Sequence, residues 1–187
     1  PEQSISLLKK ARSMGLKPMG LSFHVGSQCT NAENYLQALE IASAIFNEAK
    51  QSGLFLNILD IGGGFPIKHF EKDSHLTFER MASQIRRKLK RLFDKNVKFI
   101  AEPGRFLVGP SGILVTQVIG RTFRNNKNYY YLNDGLYGDF SGIVFDHCAY
   151  PLKAFKDGEK KVCAVFGPTC DAFDTISVAE ELPDLEI

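Results

Sequence analysis

The chain has 187 residues and a mass of 20.9 kDa, with 44% hydrophobic and 24% charged side chains and 23 basic against 21 acidic groups. That is the balance of a globular protein long enough to bury a core, which excludes fibrous, disordered and disulfide-stapled classes. A formal charge of +2 gives no field for nucleic acid, and the uncharged runs, such as Ile113 to Ile119, fall far short of the roughly 20 apolar residues of a membrane helix. The opening Pro1-Glu2-Gln3-Ser4 lacks the apolar stretch of a signal peptide. The four cysteines, Cys29, Cys148, Cys163 and Cys170, show no CxxC spacing, so the expectation is a soluble cytoplasmic protein with reduced thiols and no nucleic-acid or membrane partner.

In chain order, Ser4 to Met14 reads as a helix and Gly20 to Val25 as a strand ending at Gly26-Ser27-Gln28. Thr30-Asn31-Ala32-Glu33 has the form of a capping box, opening a helix with Tyr35, Leu39, Ala42, Phe46 and Ala49 on one face and Gly53 as its C-terminal stop. A strand from Leu54 to Leu59 runs into Asp60-Ile61-Gly62-Gly63-Gly64-Phe65-Pro66, and Met81, Ile85, Leu89 and Leu92 mark the next helix. The strand Val97 to Ala101 then ends in Glu102-Pro103-Gly104-Arg105. Strand and helix alternating in this way predict parallel βαβ units over residues 1–106.

From 107 to 187 the pattern changes to successive strands, Gly112 to Phe123, Tyr129 to Leu132, Gly142 to Phe145 and Lys161 to Phe166. Turn signals at Asn125-Asn126, Asn133-Asp134-Gly135 and Asp157-Gly158 separate them, which predicts a second, mostly antiparallel domain.

In parallel α/β folds, functional groups gather beyond the carboxyl ends of the strands. Those ends carry His24, the Gly62-Gly63-Gly64 triplet, and Glu102 with Arg105. Consecutive glycines let backbone N–H groups approach an anion, although a tight strand-to-helix turn explains the same triplet. Ser27 and Arg105 add a hydroxyl and a guanidinium at neighbouring ends, which favours phosphate. An imidazole that can stack, a buried carboxylate at the end of an apolar strand and a phosphate cradle together suit an aromatic phosphorylated cofactor, pyridoxal phosphate. Cys170, in a glycine/proline turn beside Asp171, is either acid/base competent or a small buried hydrophobe. No zinc spacing links His147, Cys148, Cys163 and Cys170, so no metal is expected. The run Arg86-Arg87-Lys88 with Lys90 and Arg91 reads as a solvated helix face.

Five ordered strings, Ser22-Phe23-His24-Val25-Gly26-Ser27, Leu59 to Pro66, Glu102-Pro103-Gly104-Arg105, Asn133-Asp134-Gly135 and Gly167-Pro168-Thr169-Cys170-Asp171, resemble the ornithine/diaminopimelate/arginine decarboxylase family. The resemblance implies an α/β fold, the C-terminal part of a cofactor-binding (β/α)8 TIM-type barrel followed by part of a β domain. It implies pyridoxal 5'-phosphate as cofactor, a basic amino acid as substrate and a homodimer with shared active sites. Tyr137 to Gly142 and Phe145-Asp146-His147 lie nearest the ornithine and lysine/ornithine branch, implying conversion of L-ornithine to putrescine or L-lysine to cadaverine in polyamine synthesis.

Carried over by position, His24 would stack on the pyridine ring, and Ser27, Gly62, Gly63, Gly64 and Arg105 would hold the phosphate. Glu102 would pair with the ring nitrogen. Asp146 and Asp171, one from each subunit, would bind the distal ammonium of the substrate, and Cys170 would return a proton to Cα. Diaminopimelate, arginine or carboxynorspermidine decarboxylase and a non-catalytic relative of the antizyme-inhibitor kind are the alternatives. No segment resembles the family's cofactor-linking lysine motif, so the expectation is an internal fragment, inactive alone.

Overall fold

Three short parallel strands, β1 (Gly20–Ser22), β2 (Ile58–Asp60) and β3 (Lys98–Ile100), form a sheet in the order β1-β2-β3, with Leu21, Leu59 and Phe99 in register. The computed structural model describes residues 2–68, 70 and 77–187, and a division after Ser111 separates this unit from a second that begins at Gly112. Helices α1 (Ser4–Ser13), α2 (Ala32–Gln51), α3 (Phe78–Leu92) and the short α4 (Arg105–Val108) belong to the first unit. Parallel neighbours need crossover connections, and α2 and α3 occupy the segments between them.

The predicted face of α2 is the buried one. Tyr35, Leu39 and Ala42 pack with Leu59 of β2, with Ile61 and Phe65 of the loop that follows it, and with Met81, Ile85 and Leu89 of α3. The cap lies one residue later than the box predicted: Asn31 is extended, and its side-chain oxygen accepts the Glu33 N–H at 3.0 Å. A short amide side chain at that position satisfies one of the orphan donors of the first turn. At the other end Gly53 takes φ +73°, and the Leu54 N–H returns to the Ala49 carbonyl at 2.9 Å.

Each strand is shorter than predicted because the ladder gives way to loops that remain stitched together. Phe23 N–H donates to the Asp60 carbonyl at 3.1 Å, Ile61 N–H to Ile100 at 2.9 Å, and Glu102 N–H to Gly62 at 2.8 Å. Hydrogen bonding therefore continues past the strand ends into the loops that carry the sequence motifs.

The second unit holds a four-stranded sheet of β4 (Val118–Arg124), β5 (Lys127–Leu132), β6 (Lys161–Phe166) and β7 (Thr175–Leu182) in sequential order. The outer pairs are antiparallel and the central β5·β6 pair is parallel. Asn125 and Asn126 both have φ above +50°, the type I′ geometry that closes a two-residue hairpin. Tyr130, Leu132, Cys163, Val165 and Leu182 form the core, together with Leu136 and Phe140.

Three expectations need correction. Gly142–Phe145 is a single helical turn, α5, and not a strand. It sits in the long connection that the parallel β5·β6 pairing demands, where no neighbouring strand is at hand to pair with it. The strand predicted from Gly112 begins only at Val118, leaving Ile113 91% exposed. β7 went unpredicted because its Ser177, Glu180 and Glu181 give an edge strand a weak apolar alternation. Leu39→Ala, at a fully buried position, should cost about 2–5 kcal/mol in urea unfolding. Leu7→Ala, on the 59% exposed side chain of α1, should stay within about 0.5 kcal/mol.

Candidate active site

At the carboxyl ends of β1, β2 and β3 lies a cavity of about 210 Å³ lined by His24, Ser27, Gly63, Gly64, Glu102 and Arg105, with Gln28, Phe65 and Gly104 completing the wall. Six of the seven residues predicted for the cofactor meet there; Gly62 sits beside it without lining it. The volume is below the roughly 300–1,000 Å³ of complete small-molecule sites. A larger cavity of about 330 Å³ opens at the opposite ends of β2 and β3, between Phe46, Lys50, Phe55, Asn57 and Phe93. It contains none of the sequence motifs and lies away from the ends where α/β folds place their chemistry.

The glycine triplet is required first by its neighbours. A Cβ on Gly62 would stand 2.2 Å from the Phe23 carbonyl oxygen, one on Gly63 2.6 Å from that of Glu102, and one on Gly64 2.2 Å from that of Gly26. Gly62 and Gly64 also have φ of +66° and +91°, where a side chain adds strain. The backbone donors are largely committed: Gly62 N–H donates to Asp60 Oδ1 at 2.9 Å and Gly63 N–H to His24 Nδ1 at 3.2 Å. Among the described residues, the Gly64 N–H has no hydrogen-bonded partner, which leaves it as the amide of the triplet open to an anion.

The bond to Gly63 pins the His24 ring and makes Nδ1 an acceptor, so the ring hydrogen sits on Nε2. Sequence reasoning missed three groups that build this loop. Tyr35 is fully buried, donates its hydroxyl to the Gly63 carbonyl at 2.7 Å and stacks on Phe65 with ring centroids 5.2 Å apart. Burial pushes its phenol well above the usual range, so it remains a donor. Gln28, at φ +52°, accepts the Ile67 N–H with its side-chain oxygen and donates its amide to the Ile67 carbonyl. Cys29 N–H donates to the Gly64 carbonyl at 2.7 Å. A Gln two residues after a glycine turn and a Tyr on the first turn of the following helix were the available signals.

Glu102 departs from expectation. The carboxylate is exposed, not buried, because β3 is the last strand of this sheet and Lys98, Phe99 and Ile100 are themselves exposed.

In the second unit, Cys170 is exposed and unbridged. Asp171 is also exposed, and its carboxylate is held at both oxygens, by the Tyr137 hydroxyl at 2.5 Å and the Phe173 N–H at 2.9 Å. These bonds, that of Tyr137 first, hold the Asp171 carboxyl below the usual carboxylate range, while the same bond pushes the Tyr137 phenol up. Asp146 is half-buried and ends α5, its N–H donating to the Gly142 carbonyl at 3.0 Å.

The donor set of the cavity, the pinned imidazole and the strand-end placement suit an aromatic phosphorylated cofactor. Residues 2–109 match the pyridoxal binding domain of the pyridoxal-dependent decarboxylases, and the chain belongs to that family.

Among its relatives, the lysine/ornithine decarboxylase of Selenomonas ruminantium is 41% identical over 186 residues, covering 100% of this chain and 47% of the relative. A probable ornithine decarboxylase of Dictyostelium discoideum is 37% identical over 97% of the chain and 42% of its own length. The solved lysine/ornithine decarboxylase of Vibrio vulnificus complexed with cadaverine superposes with a TM-score of 0.90 at 38% identity, covering 100% of this chain and 51% of that one. The arginine decarboxylase of Paramecium bursaria Chlorella virus reaches 0.83 at 33% identity over 100% of this chain and 50% of that one. The chain thus spans about half the length of the proteins it matches.

Two predictions follow from the geometry. Gly64→Ala should lower thermal stability by an amount equivalent to about 1–3 kcal/mol or more, whereas Gly104→Ala, with open space around its Cβ, should leave it near the parent value. A carboxyl depressed in the folded state contributes stability above its unfolded pKa that is lost as pH falls through the folded one. Tyr137→Phe should therefore shift Asp171 titration upward, as read by carboxyl ¹³C NMR.

Proposed function

We propose that this chain is part of a pyridoxal 5'-phosphate-dependent decarboxylase of basic amino acids, acting on L-ornithine and L-lysine to give putrescine and cadaverine for polyamine synthesis. The observation that carries the reading is the gathering of His24, Ser27, Gly63, Gly64, Glu102 and Arg105 around one cavity at the strand ends. Their donors suit the phosphate end of the cofactor, and the Glu102 carboxylate suits as acceptor the protonated ring nitrogen at the other. Three parallel strands in sequential order, with helices in the crossovers, agree with a segment of a (β/α)8 barrel over residues 1–106, followed by a β domain over 107–187.

When bound, pyridoxal phosphate supplies an electron sink for loss of the carboxylate from Cα. The chain's residues do the rest. Ser27, Arg105 and the Gly64 N–H bind the phosphate, while Gly62 and Gly63 shape the loop that presents it. His24, held by Gly63, would lie against the ring face. Glu102 keeps the ring nitrogen protonated. Asp146 and Asp171, from opposite subunits of a homodimer, hold the distal ammonium, and Cys170 delivers the proton that Cα requires. A substrate without the distal cation would leave those carboxylates desolvated and unmatched, which is the source of selectivity. The relatives named for ornithine and lysine, and the neighbour solved with cadaverine, support the substrate class.

The complete protein, incubated with pyridoxal phosphate and then borohydride, should gain one cofactor mass per chain and release amine from ornithine or lysine. Turnover of arginine alone would overturn the substrate assignment. Cys170→Ala should keep the adduct while turnover falls about 10²–10⁴-fold. The 187 residues alone should release no amine.

A further inference from the structure

We infer that Asp174 is a positioning residue whose buried carboxylate locks the turn that presents Cys170 and Asp171. The inference deepens the proposed function and rests on it only for the role of Asp171. Asp174 is 1% exposed, the most deeply buried acidic side chain among the described residues. Its Oδ1 accepts the Leu136 N–H at 2.7 Å, and its Oδ2 accepts both the Thr169 N–H at 3.1 Å and the Thr169 hydroxyl at 2.8 Å. Three donors to one carboxylate meet the desolvation cost that a buried charge carries.

The main chain of Asp174 is committed as well. Its N–H donates to the Asp171 carbonyl at 3.0 Å, and its carbonyl accepts the Gly167 N–H at 2.8 Å. The two glycines of the neighbouring motifs make room for it. A Cβ on Gly135 or on Gly167 would lie 2.2 Å from Asp174 Oδ1.

These contacts close a circuit. Asp174 fixes the backbone of Leu136; the next residue, Tyr137, reaches the Asp171 carboxylate; and Asp171 is bonded through its carbonyl to Asp174. The Thr169 clamp fixes the other side of Cys170. Removing the carboxylate therefore loosens Thr169 and Leu136, on either side of the Cys170–Asp171 turn, while the main-chain bond between residue 174 and Asp171 remains. Asn is a poor replacement, since its NH₂ must face one of the N–H or hydroxyl donors.

The test measures hydrogen exchange by mass spectrometry and substrate selectivity in the complete, cofactor-loaded protein. In Asp174→Asn, exchange should rise at least tenfold in the peptides covering 134–138 and 167–173, while β5 and β6 stay protected. The ratio of kcat/KM for the diamino acid to that for a neutral analogue without the distal amine should fall at least tenfold. Local loosening with unchanged selectivity would keep the positioning role and remove Asp171 from the substrate site. Unchanged exchange in a folded variant would overturn the inference. Should Asp174→Asn fail to fold, Thr169→Ala removes only the hydroxyl, and a smaller rise in the same two peptides is required; its absence likewise overturns the inference.

Discussion

The first unit depends on a single constraint, the approach of three strand-end loops to within contact of backbone carbonyls. Phe23, Gly26 and Glu102 each place a carbonyl oxygen where a side chain on the glycine triplet would sit. Only residues without a Cβ let the loops after β1, β2 and β3 close together, and this closure forms the cavity that gathers His24, Ser27, Glu102 and Arg105. The glycines therefore serve architecture before chemistry. Two of their three N–H groups are already used within the loops, which leaves one amide of the triplet uncommitted among the described residues.

The second unit solves a similar problem with a different device. There a buried carboxylate, Asp174, replaces backbone approach as the centre, and Gly135 and Gly167 are small because it stands against them. The motifs Asn133-Asp134-Gly135 and Gly167-Pro168-Thr169-Cys170-Asp171, far apart in sequence, belong to one hydrogen-bonded arrangement. Asp134 repeats the pattern on a smaller scale, accepting from the Gly135 N–H at 2.8 Å, with Gly138 too close to its Oδ1 for any Cβ. In both units the glycine positions mark what packs against them.

Much of this was legible because the relevant signals are local. The apolar period that exposed one face of α2 and α3 also predicted their buried residues, and the residues that end each strand were the ones brought to the cavity. What escaped was non-local. Gly142 to Phe145 has the composition of a strand, but the parallel pairing of β5 with β6 turns its surroundings into a crossover. Asp174 drew no reading at all, since nothing in its own neighbourhood announces a donor from Leu136. Glu102 reached the cavity as predicted, but its exposure escaped for the same reason: burial at the end of β3 is set by neighbours that local pattern does not encode.

That exposure bears directly on chemistry. The value of a carboxylate beside a protonated ring nitrogen depends on the medium between them. Two unit charges 4 Å apart are worth about 1 kcal/mol in water and about 4 kcal/mol at the effective dielectric near a protein surface. In this chain β3 is an edge, with Phe99 and Ile100 each more than a third exposed and Glu102 exposed beyond them. A parallel sheet is ordinarily covered on both faces. A carboxylate at such an exposed edge meets a neighbouring charge at the weaker, solvent-screened end of that range.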